Sequence, residues 1–245
     1  MEHQRIRRIM AAVALWMVLL SLCGCQGVTK GIQIVTSEAQ KAETERTEQE
    51  LDPFEQVSVD LGVANITFIQ GSAYHLSLSK TADYPISYTV QGDKLVIASD
   101  SSKVINSSSA TLTITVPKEA VLKNVTVATG VGDFSASDLS IDQLTVKQGV
   151  GSFSAKNLSS ADLSVEVATG DCEISNCEVT HMNVDGSVGD VLIENVGTAQ
   201  DTSYSLSADV GSIEVDGEKK KSPYKEGEGE RSITVNVSVG DITIQ

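Results

Sequence analysis

The sequence predicts an all-β protein, a β-solenoid of about 19-residue coils preceded by an irregular β-rich start. Three observations carry this. Glycines recur at Gly132, Gly151, Gly170 and Gly189, three successive steps of 19 residues. Two and four positions after each stand apolar residues: Phe134, Phe153, Cys172 and Val191, then Ala136, Ala155, Ile174 and Ile193. Six positions after each stands an Asx residue: Asp138, Asn157, Asn176 and Asn195. Alternation with period two marks a strand. An Asn or Asp at one fixed place between apolar pairs marks a corner, because these residues tolerate the left-handed conformation and hydrogen-bond their own backbone. A unit this short cannot bury its apolar face alone, but stacked copies form a continuous core, each coil stepping about 4.8 Å along the axis. An antiparallel β-sandwich is the alternative; it gives regular strands without requiring one corner residue at a fixed period.

Taken in order, the chain opens with Arg5, Arg7 and Arg8, an apolar run from Ile9 to Leu22, and then Cys23, Gly24 and Cys25. The run is shorter than the roughly 18–20 residues a spanning helix needs, so residues 1–24 read as a cleaved signal sequence. "LCGC" resembles a bacterial lipobox, with Cys23 where Ala or Ser is commoner. That resemblance implies lipidation of Cys25 as the first mature residue; an ordinary signal peptide is the alternative. Removing residues 1–24 takes away three Arg and one Glu, so the formal charge moves from −15 to −17. Nucleic acid and anionic head groups are thereby disfavoured as partners.

Residues 25–52 are rich in Glu, Gln, Thr and Lys and poor in large apolar side chains after Val35. They read as a flexible acidic linker that holds the folded part off the membrane. Residues 53–125 alternate well in "VSVDLGVANITFIQG", "YHLSLS", "ISYTVQGDKLVIAS" and "ATLTITVP", with a tight hairpin at Gln91–Asp93 and an exposed loop at Ser99–Ser109. They form the irregular beginning of the same body. Residues 126–245 are the repeat solenoid, with further copies at Gly211 and Gly240 whose spacings stretch to 22 and 29. The inserted segment 217–231 accounts for the second stretch. It carries Lys219, Lys220, Lys221, Tyr224 and Lys225, and reads either as a partner-binding loop on a rigid scaffold or as a solvated hairpin.

An irregular β start, an "LTITVP" strand and repeats such as "GVGDFSAS" and "SVGDVLIEN" behind a lipobox resemble the bacterial adhesin-type family, a domain of unknown function. The resemblance covers residues 53–245. It implies a β-solenoid at the cell envelope, with either a protein or cell-surface partner in adhesion, or a role as accessory or sensor of an envelope-stress system bound to another membrane protein.

Little in the sequence favours catalysis. Histidines stand only at 3, 75 and 181, and the many serines fall on outward strand positions. Carbohydrate stacking is disfavoured by 4% aromatic content and by the loss of Trp16 with the signal. Cys172 and Cys177 fall on inward positions, where two readings stay open: a disulfide across the Asn176 corner, or two buried small hydrophobes. With His181 the sole further ligand in that coil, a metal site has too few donors. The "GD" dipeptides suggest either a calcium ladder or turn chemistry, and the interruptions at Gly151-Ser152 and Gly211-Ser212 favour turns. No cofactor is expected. The chain finishes in "DITIQ", so chain-order stacking leaves an open final edge. Either the 217–231 loop folds over that edge, or a partner or second copy adds a strand there.

Overall fold

The structure, a computed structural model, describes residues 43–100, 108–196 and 201–245. The signal sequence, Cys25, most of the linker and the centre of the Ser99–Ser109 loop lie outside the described residues. Eighteen strands are present among the described residues, joined in two walls around one core. In the first wall, segments 56–63, 121–131, 140–150, 159–169 and 178–188 stack in parallel. In the second wall, segments 64–71, 134–137, 153–156, 172–175 and 191–194 do the same. The long strands β2 (Gln56–Gly71), β8 (Phe134–Val150) and β9 (Phe153–Thr169) pass from one wall to the other through a corner.

Like residues stack on like, as the period requires. Val59, Val127, Val146, Val165 and Val184 form one buried column. Phe68, Phe134 and Phe153 form a ring stack, with centroids 5.8 and 5.4 Å apart. The predicted corner residues all take positive φ, at 60° for Asp138 and 52–53° for Asn157, Asn176 and Asn195. They hydrogen-bond up the stack: Asn157 Nδ2 donates to Asp138 Oδ1 at 2.7 Å, and Asn195 Nδ2 to Asn176 Oδ1 at 3.1 Å. The opposite corner is made by the repeat glycines. Gly170 sits at φ 143°, where a Cβ would meet the carbonyl oxygen of Gly151 at 2.0 Å. Any side chain there would push the coils apart.

The order of coils in space departs from the order in the chain. Strand β17 (Arg231–Val239) pairs in parallel with β11 (Glu178–Val188) on one side and β13 (Thr202–Val210) on the other. Likewise β18 (Ile242–Ile244) lies between β12 (Val191–Glu194) and β14 (Ile213–Val215). The expectation of an open edge at "DITIQ" is therefore corrected: the last coil of the chain is tucked inside, and the coil at 202–215 is outermost. The same happens at the other end. Strand β2 lies between the coil of β7 (Val121–Val131) and β8 and a coil made of β5 (Lys94–Ser99) and β6 (Ala110–Pro117).

Antiparallel strands close the outermost coils. From the 217–231 segment, β15 (Glu218–Lys220) pairs with β14 across an Asp216-Gly217 turn, and β16 (Tyr224–Glu226) pairs with β13. Of the two alternatives, this loop does cover an edge, but that of the 202–215 coil and not of the terminal coil. At the other end β3 (His75–Thr81) covers β6, β4 (Ile86–Gln91) covers β5 through the predicted Gln91–Asp93 turn, and β1 (Thr44–Glu50) covers β3. Thr44–Glu50 is thus a strand rather than linker. Its side chains are almost wholly exposed, so it is held by main-chain hydrogen bonds and by contacts such as Lys80 with Glu45, 2.6 Å apart. These are invisible to any hydropathy pattern.

Gly170→Ala should lower stability by more than about 2 kcal/mol, through the forbidden φ and the contact with Gly151. Gly92→Ala, at a turn with nothing within 4 Å of the added carbon, should cost less; urea midpoints for the two variants compare them directly.

Candidate interaction surface

Stacking in register lines up the outward positions of successive coils, and at two of them the row has one dominant chemistry. The residue before each repeat glycine forms an exposed apolar ridge: Val131, Val150, Val188, Val239 and Val210, each 46–64% exposed, with Val63 at one end and Thr169 as the single polar interruption. The residue after each glycine forms a polar ladder on the far side of the corner. Ser152 N–H donates to Asp133 Oδ1, Asp190 N–H to Asp171, Asp241 N–H to Asp190, and Ser212 N–H to Asp241, at 2.7–2.9 Å. The carboxylates thus accept main-chain donors from the neighbouring coil. This supports turn chemistry over calcium as the reason for the "GD" dipeptides, and no group of three or more His, Cys, Asp or Glu able to hold a metal occurs among the described residues. The Asp241 carboxyl is held below the usual carboxylate range, chiefly by the Ser212 N–H and then by its hydroxyl.

Two clefts, of about 500 and 450 Å³, run along the first wall beside the ridge. They share Glu166 and Ala168, and small residues such as Gly130, Gly149, Ala168 and Ser187 keep their floor open. Asp60, Glu166, Asp185 and Asp209 line them, against the single cation Lys147. Lys147 is paired to Glu166 at 2.7 Å, and that contact raises its pKa. Asp185 accepts from Asn183 at 2.7 Å and Asn236 at 2.9 Å. The trough is acidic and extended along the axis, a shape that suits a linear ligand better than a compact one.

The cysteines do not form the disulfide. Both are free and buried. Cys172 stacks between Phe153 and Val191, and the Cys177 thiol donates to the Ser175 carbonyl at 3.3 Å. Burial pushes both thiols up, which makes them poor nucleophiles and poor metal ligands. His181 faces outward, with Nδ1 3.0 Å from Ser232 Oγ, across the wall from them. Within the capping hairpin, Lys219, Lys221 and Lys225 stay exposed. Lys220 is paired to Glu218 at 2.8 Å and lies over the Tyr224 ring. Tyr224 packs against the core, and Ser222 Oγ donates to the Ala208 carbonyl at 2.8 Å. This segment's backbone is engaged in closing the stack. The valine ridge and the trough escaped sequence reasoning; the recurring "VG" before each Asp or Ser was the available signal.

A stacked-coil β protein with rows of like side chains along its surface is the class that the fold defines. The family model for Toastrack DUF4097 matches residues 54–201, and the chain belongs to that family. No curated protein matches the chain. Among solved structures, one of a candidate cell adhesion protein from Clostridium sporogenes is 19% identical, with a TM-score of 0.50, covering 82% of this chain and 99% of that one. A candidate adhesin from Bacteroides fragilis is 16% identical, TM-score 0.43, covering 83% and 97%. A candidate lipid binding protein from Parabacteroides distasonis is 15% identical, TM-score 0.39, covering 84% and 98%.

Asn176→Val should destabilise by about 1–3 kcal/mol, through lost hydrogen bonds and a β-branched residue at positive φ; an unchanged urea midpoint would refute the ladder. For Asp241 the folded pKa is depressed, so its contribution is present above about pH 4, the unfolded value. It is lost as pH falls through the lower folded value. The urea-midpoint gap between wild type and Asp241→Ala should therefore narrow as pH drops below 4 and stay constant above 5.

Proposed function

We propose that the chain is a non-catalytic adhesin-type module displayed outside a bacterial cell, held to its membrane by lipid on Cys25, and that it engages a protein or cell-surface partner. The carrying observation is the axial trough with its flanking valine ridge. A rigid stack fixes both over about seven coils, roughly 30 Å, so an extended ligand meets a valine at nearly every step of the ridge, beside a mostly acidic trough whose lining changes from coil to coil, without ordering cost on the protein's side. The likeness to the candidate cell adhesion protein of Clostridium sporogenes supports the same reading of surface display, and the "LCGC" series supports the anchor. No histidine or cysteine lines the trough, which argues for binding over turnover there.

The readings of adhesion and of envelope-stress sensing differ in partner. Crosslinking from the trough in living cells, with a photoreactive residue at Ser187, should capture an extracellular or neighbouring-cell molecule for an adhesin; capture of a membrane protein of the same cell would favour the sensor. Cys25→Ser should shift the protein from the membrane to the soluble fraction or leave it unprocessed. Unchanged detergent partitioning would remove the anchor from the proposal.

A further inference from the structure

Four strands lie outermost at the ends of the stack, and three of them are built to refuse company. Strand β1 carries Glu45, Arg46, Glu48 and Glu50; β15 is Glu-Lys-Lys; β16 is Tyr-Lys-Glu. Charge and shortness on an outer strand are the usual means of blocking unwanted pairing. Strand β4, Ile-Ser-Tyr-Thr-Val-Gln, has no charge and is twice the length of β15 or β16. Among the described residues it pairs with β5 alone.

Its register shows what the free side offers. Gln91 lies opposite Lys94 across a two-residue turn, and such a turn closes on a hydrogen-bonded pair. Gln91, Thr89 and Ser87 therefore bond to β5, while the N–H and C=O groups of Ile86, Tyr88 and Val90 point away from it. The side chains of these same three residues are half-buried against the core. A strand added there would gain main-chain hydrogen bonds and cover apolar surface together.

The two walls end at different heights. Beyond β2 the first wall has β5 and β4, whereas the second has β6, β3 and β1. Strand β1 thus overhangs by one strand, which accounts for exposure on both its sides. The ledge is one strand deep. Two copies paired β4 to β4 about a two-fold axis would set four strands in one wall across from six in the other, so β1 of each would collide with β3 of its neighbour. A lone strand fits where a folded sheet edge does not.

We propose that β4 is a docking edge for a single extended, uncharged peptide segment of a partner protein, added antiparallel by β-augmentation. The partner is thereby of a stated kind: a flexible tail or linker rather than a folded surface. This edge adjoins the Ser99 end of the axial trough but uses main-chain groups of β4 that do not line it.

The probe is a fluorescent, end-capped synthetic peptide copying Leu95–Ser99, the uncharged part of the natural antiparallel mate of β4, added to the full chain in detergent micelles and read by anisotropy. Saturable binding is expected. It should be lost with Val90→Pro, which removes an outward donor without touching the β5 ladder, and with Tyr88→Lys, which charges the edge while keeping every main-chain group. It should also be lost when the peptide is N-methylated on alternate residues, a change that leaves the protein's own fold untouched. No binding to the wild-type chain, equal binding of the N-methylated peptide, or equal binding by a folded Tyr88→Lys variant would overturn the proposal. So would concentration-dependent dimerisation of the full chain that Tyr88→Lys abolishes, since the occupant would then be a second copy.

Discussion

Each coil can approach the next to hydrogen-bonding distance only if nothing stands between their backbones at the tightest corner, and that constraint organises this molecule. At Gly132, Gly151, Gly170, Gly189, Gly240 and Gly211 the carbonyl of one coil lies about 2 Å from where the next coil's Cβ would be. With the backbones locked at strand spacing, about 4.8 Å, every other feature follows in register. Valine falls on valine in the core, phenylalanine rings stack, the Asn corners bond to one another, and the Asp side chains after each glycine reach the main chain of the adjacent coil. Glycine carries an entropic cost on folding, here offset by ladders that run the length of the body.

A stack of parallel coils has two open ends, and closing them shapes the topology. The chain starts its solenoid one coil in from one end and finishes it one coil in from the other, leaving the outermost coils to be closed by antiparallel strands. Pairing on both sides protects the terminal strands β17 and β18, while β15 and β16 place lysine and glutamate at the far edge. Gly227 and Gly229 let the returning chain run against the start of β13, where a Cβ would meet backbone at 2.1 Å, and the Arg231 guanidinium donates to the Val196 carbonyl beside it. The capping hairpin is thereby fastened at both its ends.

How much of this was legible depended on whether a feature left a periodic mark. The glycine steps and the Asx corners did, because each obeys a local steric rule that holds whatever lies above or below. Coil order did not. "SVGDITIQ" stacks equally well on "SVGDVLIEN" or "DVGSIEV", and sequence separation alone favours the chain-order stacking that the structure rejects. Thr44–Glu50 was read as linker because hydropathy sees side chains, and this strand is held through its backbone. The cysteines stand inward on either side of the Asn176 corner, as their spacing indicates, but spacing could not decide between a disulfide and two buried thiols; both are free. The valine ridge went unnoticed because a lone exposed valine is ordinary; only stacking makes six of them a surface.

The account rests on the last coil of the chain lying inside the stack, and hydrogen–deuterium exchange across residues 231–244 tests this most directly. With β17 paired to both β11 and β13, successive amides from Ile233 to Val237 should all exchange as slowly as those of Val165 and Val184 in the middle of the body. Were the chain stacked in sequence order, β17 would be an outer strand, alternate amides would exchange fast, and β13 would be the uniformly protected one.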